Sequence, residues 1–359
     1  MRHVIERWYQ RYFSNEESTY LVFTALCSFG VLFFLGGLLT PLFVAIILAY
    51  LMQGMVQWLK NQHLPHLASV AVVFTFFVGF VSACLFGLLP LVWSQAITLL
   101  EDQVPVWLRK AQTAVTNLAS SYPEYVSEAQ ASALSQSMQA KIGEWGETLL
   151  SMSIHGLPNL LGLMIFLVLV PVLVFFLLKD RDQLMESLVQ LLPSERPIMN
   201  QVWSEMNRQM ANYVRGKVIE IFIVGGVTYM SFTFLGLKYA ALLSLVVGLS
   251  VLIPFIGAAL ATVPIFAVAY FQMGWGSELA TIMGVYAVLQ ALDGNVLVPL
   301  LFSEAVNLHP VSIVTAVLVF GGLWGVWGVF FAIPLATLVK ALWSAWPTHQ
   351  QAIHEENDI

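Results

Sequence analysis

The sequence predicts an all-α polytopic integral membrane protein of about eight spans, with re-entrant or broken helices and amphipathic helical insertions. Three observations carry this. Hydrophobic residues fill 58% of the 359 positions and charged residues only 10%, against about 25% charged in a soluble domain. Several apolar runs reach the ~20 residues that cross a bilayer. Lysines and arginines gather between alternate runs, as expected of one membrane face.

The elements follow in order. An amphipathic start bearing Arg2, Arg7 and Arg11 precedes a first run over 20–38, too long for a cleavable signal and read as a signal anchor. A second span runs from Pro41 to about Trp58, and a short turn, Lys60–His66, leads to a third over 67–93. Together these form an N-terminal three-span region, 1–93. An amphipathic helical insertion over 94–155 follows, with Leu134, Met138, Ile142, Trp145 and Leu149 at helical spacing. The fourth span, 156–178, stops at Lys179-Asp180-Arg181-Asp182. A second amphipathic segment covers 179–216, where Met199, Val202, Met206, Met210 and Tyr213 share a face and Pro193 and Pro197 start a new helix. The C-terminal transport core, 217–345, holds runs at 217–236, 240–255, 257–273 and 278–292, then a block over 310–342 long enough for a bent pair of helices. A polar tail, 346–359, ends the chain.

Charge orients these elements. Arg2, Arg7 and Arg11, and Lys179, Arg181, Arg196, Arg208, Arg215 and Lys217 farther on, put the N-terminus and the 179–216 segment on the cytoplasmic side. The 94–155 insertion carries Arg109, Lys110 and Lys141 against six acids and belongs outside. Alternate crossings agree and leave the C-terminal tail cytoplasmic.

Candidate site residues stand where polar groups enter apolar sequence. Gln290–Pro310 carries Asp293, Asn295, Glu304 and His309, with Pro299 and Pro310 interrupting the helix. An ionised side chain in hydrocarbon costs roughly 2.5–3.5 kcal/mol on insertion scales, so it meets a partner or a wet cavity. Asp293 and Asn295 fit a cation, proton or polar-solute site; they also fit an interfacial loop with Asp293 capping a helix. Glu304 and His309 suit a proton relay with Asp293, or an interfacial position. In Arg215-Gly216-Lys217-Val218-Ile219-Glu220, Lys217 and Glu220 lie three apart on one face and can pair, which admits Glu220 to the membrane; the same run also reads as an inner-leaflet anchor. Pro254 and Gly257 break the chain between two apolar runs, and a re-entrant break there frees carbonyls. Gly321, Gly322, Gly325 and Pro334 mark a helix break in the last block.

Other chemistries are not indicated. HExxH, GxSxG and Walker A signatures are absent, so no enzyme, no cofactor and no metal site is expected. His63 and His66 lack carboxylate or thiolate neighbours and read as turn residues. The net charge of −6 gives no nucleic-acid surface. Cys27 and Cys84 sit in apolar runs, so no disulfide is expected.

Six motifs in order, Phe175-Phe176-Leu177-Leu178-Lys179-Asp180, Tyr213-Val214-Arg215-Gly216, Ile253-Pro254-Phe255-Ile256-Gly257, Asp293–Pro299, Leu308-His309-Pro310 and Gly321-Gly322-Leu323-Trp324-Gly325 through Ile333-Pro334, resemble the autoinducer-2 exporter family. Many members read Asp-Asn consecutively, whereas Gly294 separates the two residues here. The resemblance implies a bacterial inner-membrane permease without its own ATPase, assembled as a homo-oligomer. It implies either export of a furanone-type quorum signal or sodium or proton antiport.

Three functions therefore stand open: a transporter of a small polar solute, a cation antiporter through the same acids, and a non-transporting membrane scaffold working through its amphipathic stretches. In every case the lipid bilayer is a partner.

Overall fold

The computed structural model describes residues 38–121, 156–190, 196–254, 256–302 and 308–345, with a few isolated positions elsewhere. Most of the first predicted span, Glu304, the C-terminal tail and most of the repeat between Leu134 and Leu149 lie outside the described residues. All regular structure among the described residues is helical. Six stretches of it are long and apolar enough to cross a membrane.

Helix α1 (Thr40–Asn61) opens on Pro41, whose missing N–H would have had no helical partner in the first turn. It ends where His63 takes a left-handed φ of 69° and reverses the chain. Helix α2 (His66–Ala83) returns beside it. The Nε2 of His66 lies 3.0 Å from the Lys179 carbonyl, tying the start of α2 to the end of α5 (Gly156–Lys179). These three helices bury Ala45, Ala49, Met52 and Val56 against Val70, Val73 and Phe77 and against Val170, Val174 and Leu178. The alanines let the backbones approach, which matters where lipid is as apolar as leucine and packing drives association.

The third span differs from expectation. The helix begun at His66 does not end near Trp93: it runs through a π-turn (Cys84–Leu88), α3 (Leu89–Thr98), a second π-turn (Leu99–Gln103) and α4 (Val104–Ser121). Pro90 and Pro105 follow these π-turns. In each case the residue before the proline bonds five positions back, Leu89 N–H to the Cys84 carbonyl and Val104 N–H to that of Leu99. A proline ring clashes with the carbonyl four residues behind it, and one wider turn moves that carbonyl aside. The same device corrects the reading of Pro299. Helix α10 (Ser277–Leu292) passes through a third π-turn (Asp293–Leu297) into α11 (Val298–Phe302), with Val298 N–H bonded to the Asp293 carbonyl. Asp293 thus sits in a wide helical turn and not in a loop.

After the short α6 (Arg181–Val189), α7 (Pro197–Phe234) starts at the predicted proline and fuses the second amphipathic segment with the fifth span into 38 residues. Gly236 and Tyr239, both at positive φ, turn the chain into α8 (Ala240–Ser250). At eleven residues α8 is about 16 Å long, half of what a crossing needs. The predicted run over 240–255 is therefore a half-helix and a turn, leading into α9 (Ile256–Met273). Helix α12 (Pro310–Ala345) is likewise two short pieces, Pro310–Gly325 and Trp327–Ala341. Gly325 joins them at φ 60° and ψ −135°, a region closed to side chains with a Cβ. A second core gathers Val224 and Phe232 of α7, Leu243 and Val247 of α8, Ile265 of α9 and Ile282 of α10.

Candidate functional site

Two turns of α7, residues 213–220, meet both broken hairpins. Tyr213 donates its hydroxyl to the Phe330 carbonyl at 2.9 Å. Phe330 stands four residues before Pro334, which has no N–H, so that carbonyl has lost its helical donor. Pro334 leaves the surrounding piece helical, and Gly321 and Gly322 are helical too; of the four residues assigned to the break, Gly325 alone departs from helical geometry. Gly328 makes the fold-back possible. A Cβ there would stand 1.8 Å from the Phe320 carbonyl oxygen.

Four residues along α7, the other hairpin is held by a charge. Lys217 donates to the Val251 carbonyl at 2.8 Å, an acceptor orphaned by the end of α8. Its ammonium also lies 2.8 Å from Glu220 Oε2 and 5.2 Å from the centre of the Phe302 ring. The three donors of the ammonium thus have a carbonyl, a carboxylate and an aromatic face around them. Glu220 is 2% exposed, a position an unpaired carboxylate would not hold in an apolar bundle. Asp293, half-buried on the third π-turn, lies within electrostatic range of both Lys217 and Glu220. Its Oδ1 is buried and has no hydrogen-bond partner among the described residues. Gly257 packs on the same α8 end: a Cβ there would meet the Ser250 carbonyl oxygen at 1.8 Å, so α9 can begin only against the end of α8 because residue 257 is glycine. Pro254 lies in the intervening turn.

Glu220 and Asp293 therefore come together from widely spaced sequence, beside the α8 end that Gly257 packs on and the turn that holds Pro254. Others do not. The exposed Arg215 turns to α1, where its guanidinium would sit 3.2 Å from a Cβ added at Gly54. Asn295 is exposed and donates to the Ala291 carbonyl of its own helix at 2.8 Å. His309 is exposed at the start of α12, its Nδ1 3.3 Å from the Val311 N–H, and no contact among the described residues joins it to Asp293. Lys217, read from the sequence only as a partner for Glu220, completes the site with Tyr213 and Phe302, which had no assigned role there. The Lys217–Glu220 spacing was a visible signal; the carbonyls of Val251 and Phe330 had none.

A second feature had no sequence signal. A cavity of about 670 Å³ opens between α1, the first half of α7 and the bend of α12. Tyr50 and Asn207, 157 positions apart, hydrogen-bond on its wall.

Residues 21–348 match the family described as AI-2E family transporter. The chain is 44% identical over 352 residues to the Putative permease PerM of Escherichia coli (strain K12), covering 98% of this chain and 99% of that one. It is 26% identical over 306 residues to the Putative transport protein YrrI of Bacillus subtilis (strain 168), covering 84% of each. With six apolar stretches of spanning length and a family match over nearly its whole length, this chain belongs to the AI-2E transporter family and is a multi-pass membrane transport protein.

Proposed function

We propose that this protein is an inner-membrane secondary permease that moves a small polar solute past the Lys217–Glu220–Asp293 cluster without hydrolysing ATP. The buried cluster is the observation that supports it: charges inside an apolar bundle mark solute and ion paths. Its setting supports it further, since half-helices whose ends face a polar site are the usual construction of secondary transporters. The solute passes where the α8–α9 turn and the third π-turn of α10–α11 face α7. The positive-inside count supports cytoplasmic termini. Apolar side chains such as Phe86, Leu163 and Phe222 stand exposed on the helices, which supports a homo-oligomer or lipid over those faces.

Flux in proteoliposomes tests this directly. A furanone-type quorum signal serves as solute for wild type and Asp293→Asn, with Asn295→Ala as the exposed control. Loss of at least tenfold in the Asp293 variant alone is expected, while equal flux in all three would remove the cluster from the path.

A second reading has its own support. One lysine faces two carboxylates, so the cluster with all three ionised carries one negative charge and would suit a cation or a proton. On that reading flux follows a sodium or pH gradient, reported by a dye in the vesicle lumen. Indifference to both gradients rejects antiport and leaves the permease.

A further inference from the structure

We propose that the cavity between α1, α7 and α12 is a site for an anionic phospholipid, with an acyl chain inside and the phosphate held between Arg181 and Arg215. The cavity follows α1 from Thr40 to Tyr50, about 15 Å at 1.5 Å per residue, which suits most of one acyl chain. Its volume of about 670 Å³ falls in the usual range for small-molecule sites. Phe43, Trp203, Trp327 and Phe331 give it apolar walls, and the Tyr50–Asn207 hydrogen bond supplies a polar group toward one end.

That end is also the basic one. Val214 is the last α7 residue on the cavity wall, and Arg215 follows it. The Arg215 guanidinium packs over Gly54, one turn beyond Tyr50 on α1 and within two turns of Lys60. Arg181, which opens α6 just past the end of α5, lies within electrostatic range of the Tyr50 hydroxyl. Arg215 thus packs on the Tyr50–Gly54 turn, and Arg181, from a different helix, lies within electrostatic range of it. Neither is strongly engaged. No acidic side chain among the described residues pairs with Arg215, and Asp182, 83% exposed, reaches Arg181 only at 3.8 Å. Arg208 is different: it is spent on Glu205 at 2.9 Å. Apolar walls with unspent arginines at one rim complement a lipid that carries a negative phosphate, and basic pockets between spanning helices are how such headgroups are held. A zwitterionic lipid offers the same chain without the net charge. A free anion would use the arginines but leave the aromatic walls without an occupant.

Native mass spectrometry of the full chain, released from detergent containing equal phosphatidylglycerol and phosphatidylcholine, tests this. Wild type is expected to retain phosphatidylglycerol selectively, at a stoichiometry that saturates. Arg181→Gln or Arg215→Gln should weaken that retention about fivefold each, and the double variant roughly 30-fold, with phosphatidylcholine unchanged. Arg215→Lys should keep most of it. Ile47→Phe, which narrows the cavity and leaves both arginines, should weaken both lipids. Equal retention of the two lipids by wild type overturns the proposal without recourse to any variant. Selectivity that survives the double substitution also overturns it, as does displacement of the lipid by inorganic phosphate alone.

Discussion

The two broken hairpins are alike in construction and different in what fastens them. Both fold back on a glycine that touches a carbonyl, Gly257 on Ser250 and Gly328 on Phe320. Both present an orphaned carbonyl to neighbouring turns of α7, Val251 to Lys217 and Phe330 to Tyr213. At the α12 hairpin the fastener is neutral, a tyrosine hydroxyl on a carbonyl freed by Pro334. At the α8–α9 hairpin it is a buried ammonium, which needs Glu220 beside it and draws Asp293 into range. A neutral hydrogen bond would have held the α8 end equally well, as it does at Phe330. The charge is more than the packing requires, and on the function proposed above that excess makes the α8–α9 hairpin the working one and the α12 hairpin the structural one.

Breaking the charged fastener should have the largest effect. Lys217→Met strands a buried carboxylate and should destabilise the folded protein by about 3–5 kcal/mol. Unfolding in mixed micelles measures it, and Lys217→Met with Glu220→Gln should recover a large part of the loss. Recovery of none would mean that the Val251 bond, and not the ion pair, carries the stability.

The glycines test the likeness of the two hairpins. Gly257→Ala and Gly328→Ala each force a methyl into a carbonyl oxygen and should cost roughly 1–3 kcal/mol apiece by the same assay. A large cost at one and none at the other would show that only one fold-back is tightly closed.

The next two substitutions separate stability from flux. Asp293→Asn removes a charge and keeps the shape, so unfolding should move by under about 1 kcal/mol. Solute flux should nevertheless collapse. Tyr213→Phe should do the opposite, losing about 0.6–1.7 kcal/mol for one hydrogen bond inside a membrane bundle while flux survives. If Tyr213→Phe stops flux as completely as Asp293→Asn, the division into working and structural hairpins fails.

Smallest of all is Pro334→Ala. It returns an N–H to the Phe330 carbonyl, which should make Tyr213→Phe cheaper in that background by about 0.5–1 kcal/mol in a double-mutant cycle. Additive effects would mean that the proline does not free the carbonyl that Tyr213 uses.

Much of this was legible along the chain. The apolar runs placed α1, α5, α9 and α10 within a few residues, and Pro197 marked the start of α7. Glycine and proline marked both hairpins, because a tight fold-back needs residues that tolerate close carbonyls or positive φ. Lys217 and Glu220 announced their pairing by a spacing of three. Pro299 was read as an interruption, and the third span as ending near residue 93, because a π-turn leaves no compositional trace; neighbouring helices decide whether a chain breaks or widens. Arg215 sits two residues from Lys217, yet helical geometry points it to a different partner. His309 and Asp293 are also close in sequence, yet no contact among the described residues joins them.

By itself the sequence determined which segments are apolar enough to leave water, where the backbone is able to fold sharply, and that a lysine and a glutamate share a helical face. These are local properties, set by side-chain transfer and by φ/ψ limits within a few residues. The tertiary structure alone decided which group satisfies each orphaned carbonyl, that Asp293 joins the pair on α7, and that Tyr50 meets Asn207 across 157 positions to wall a cavity. A helix end or a proline creates an unmet hydrogen bond at a known place. The donor that meets it comes from wherever the packed bundle brings one.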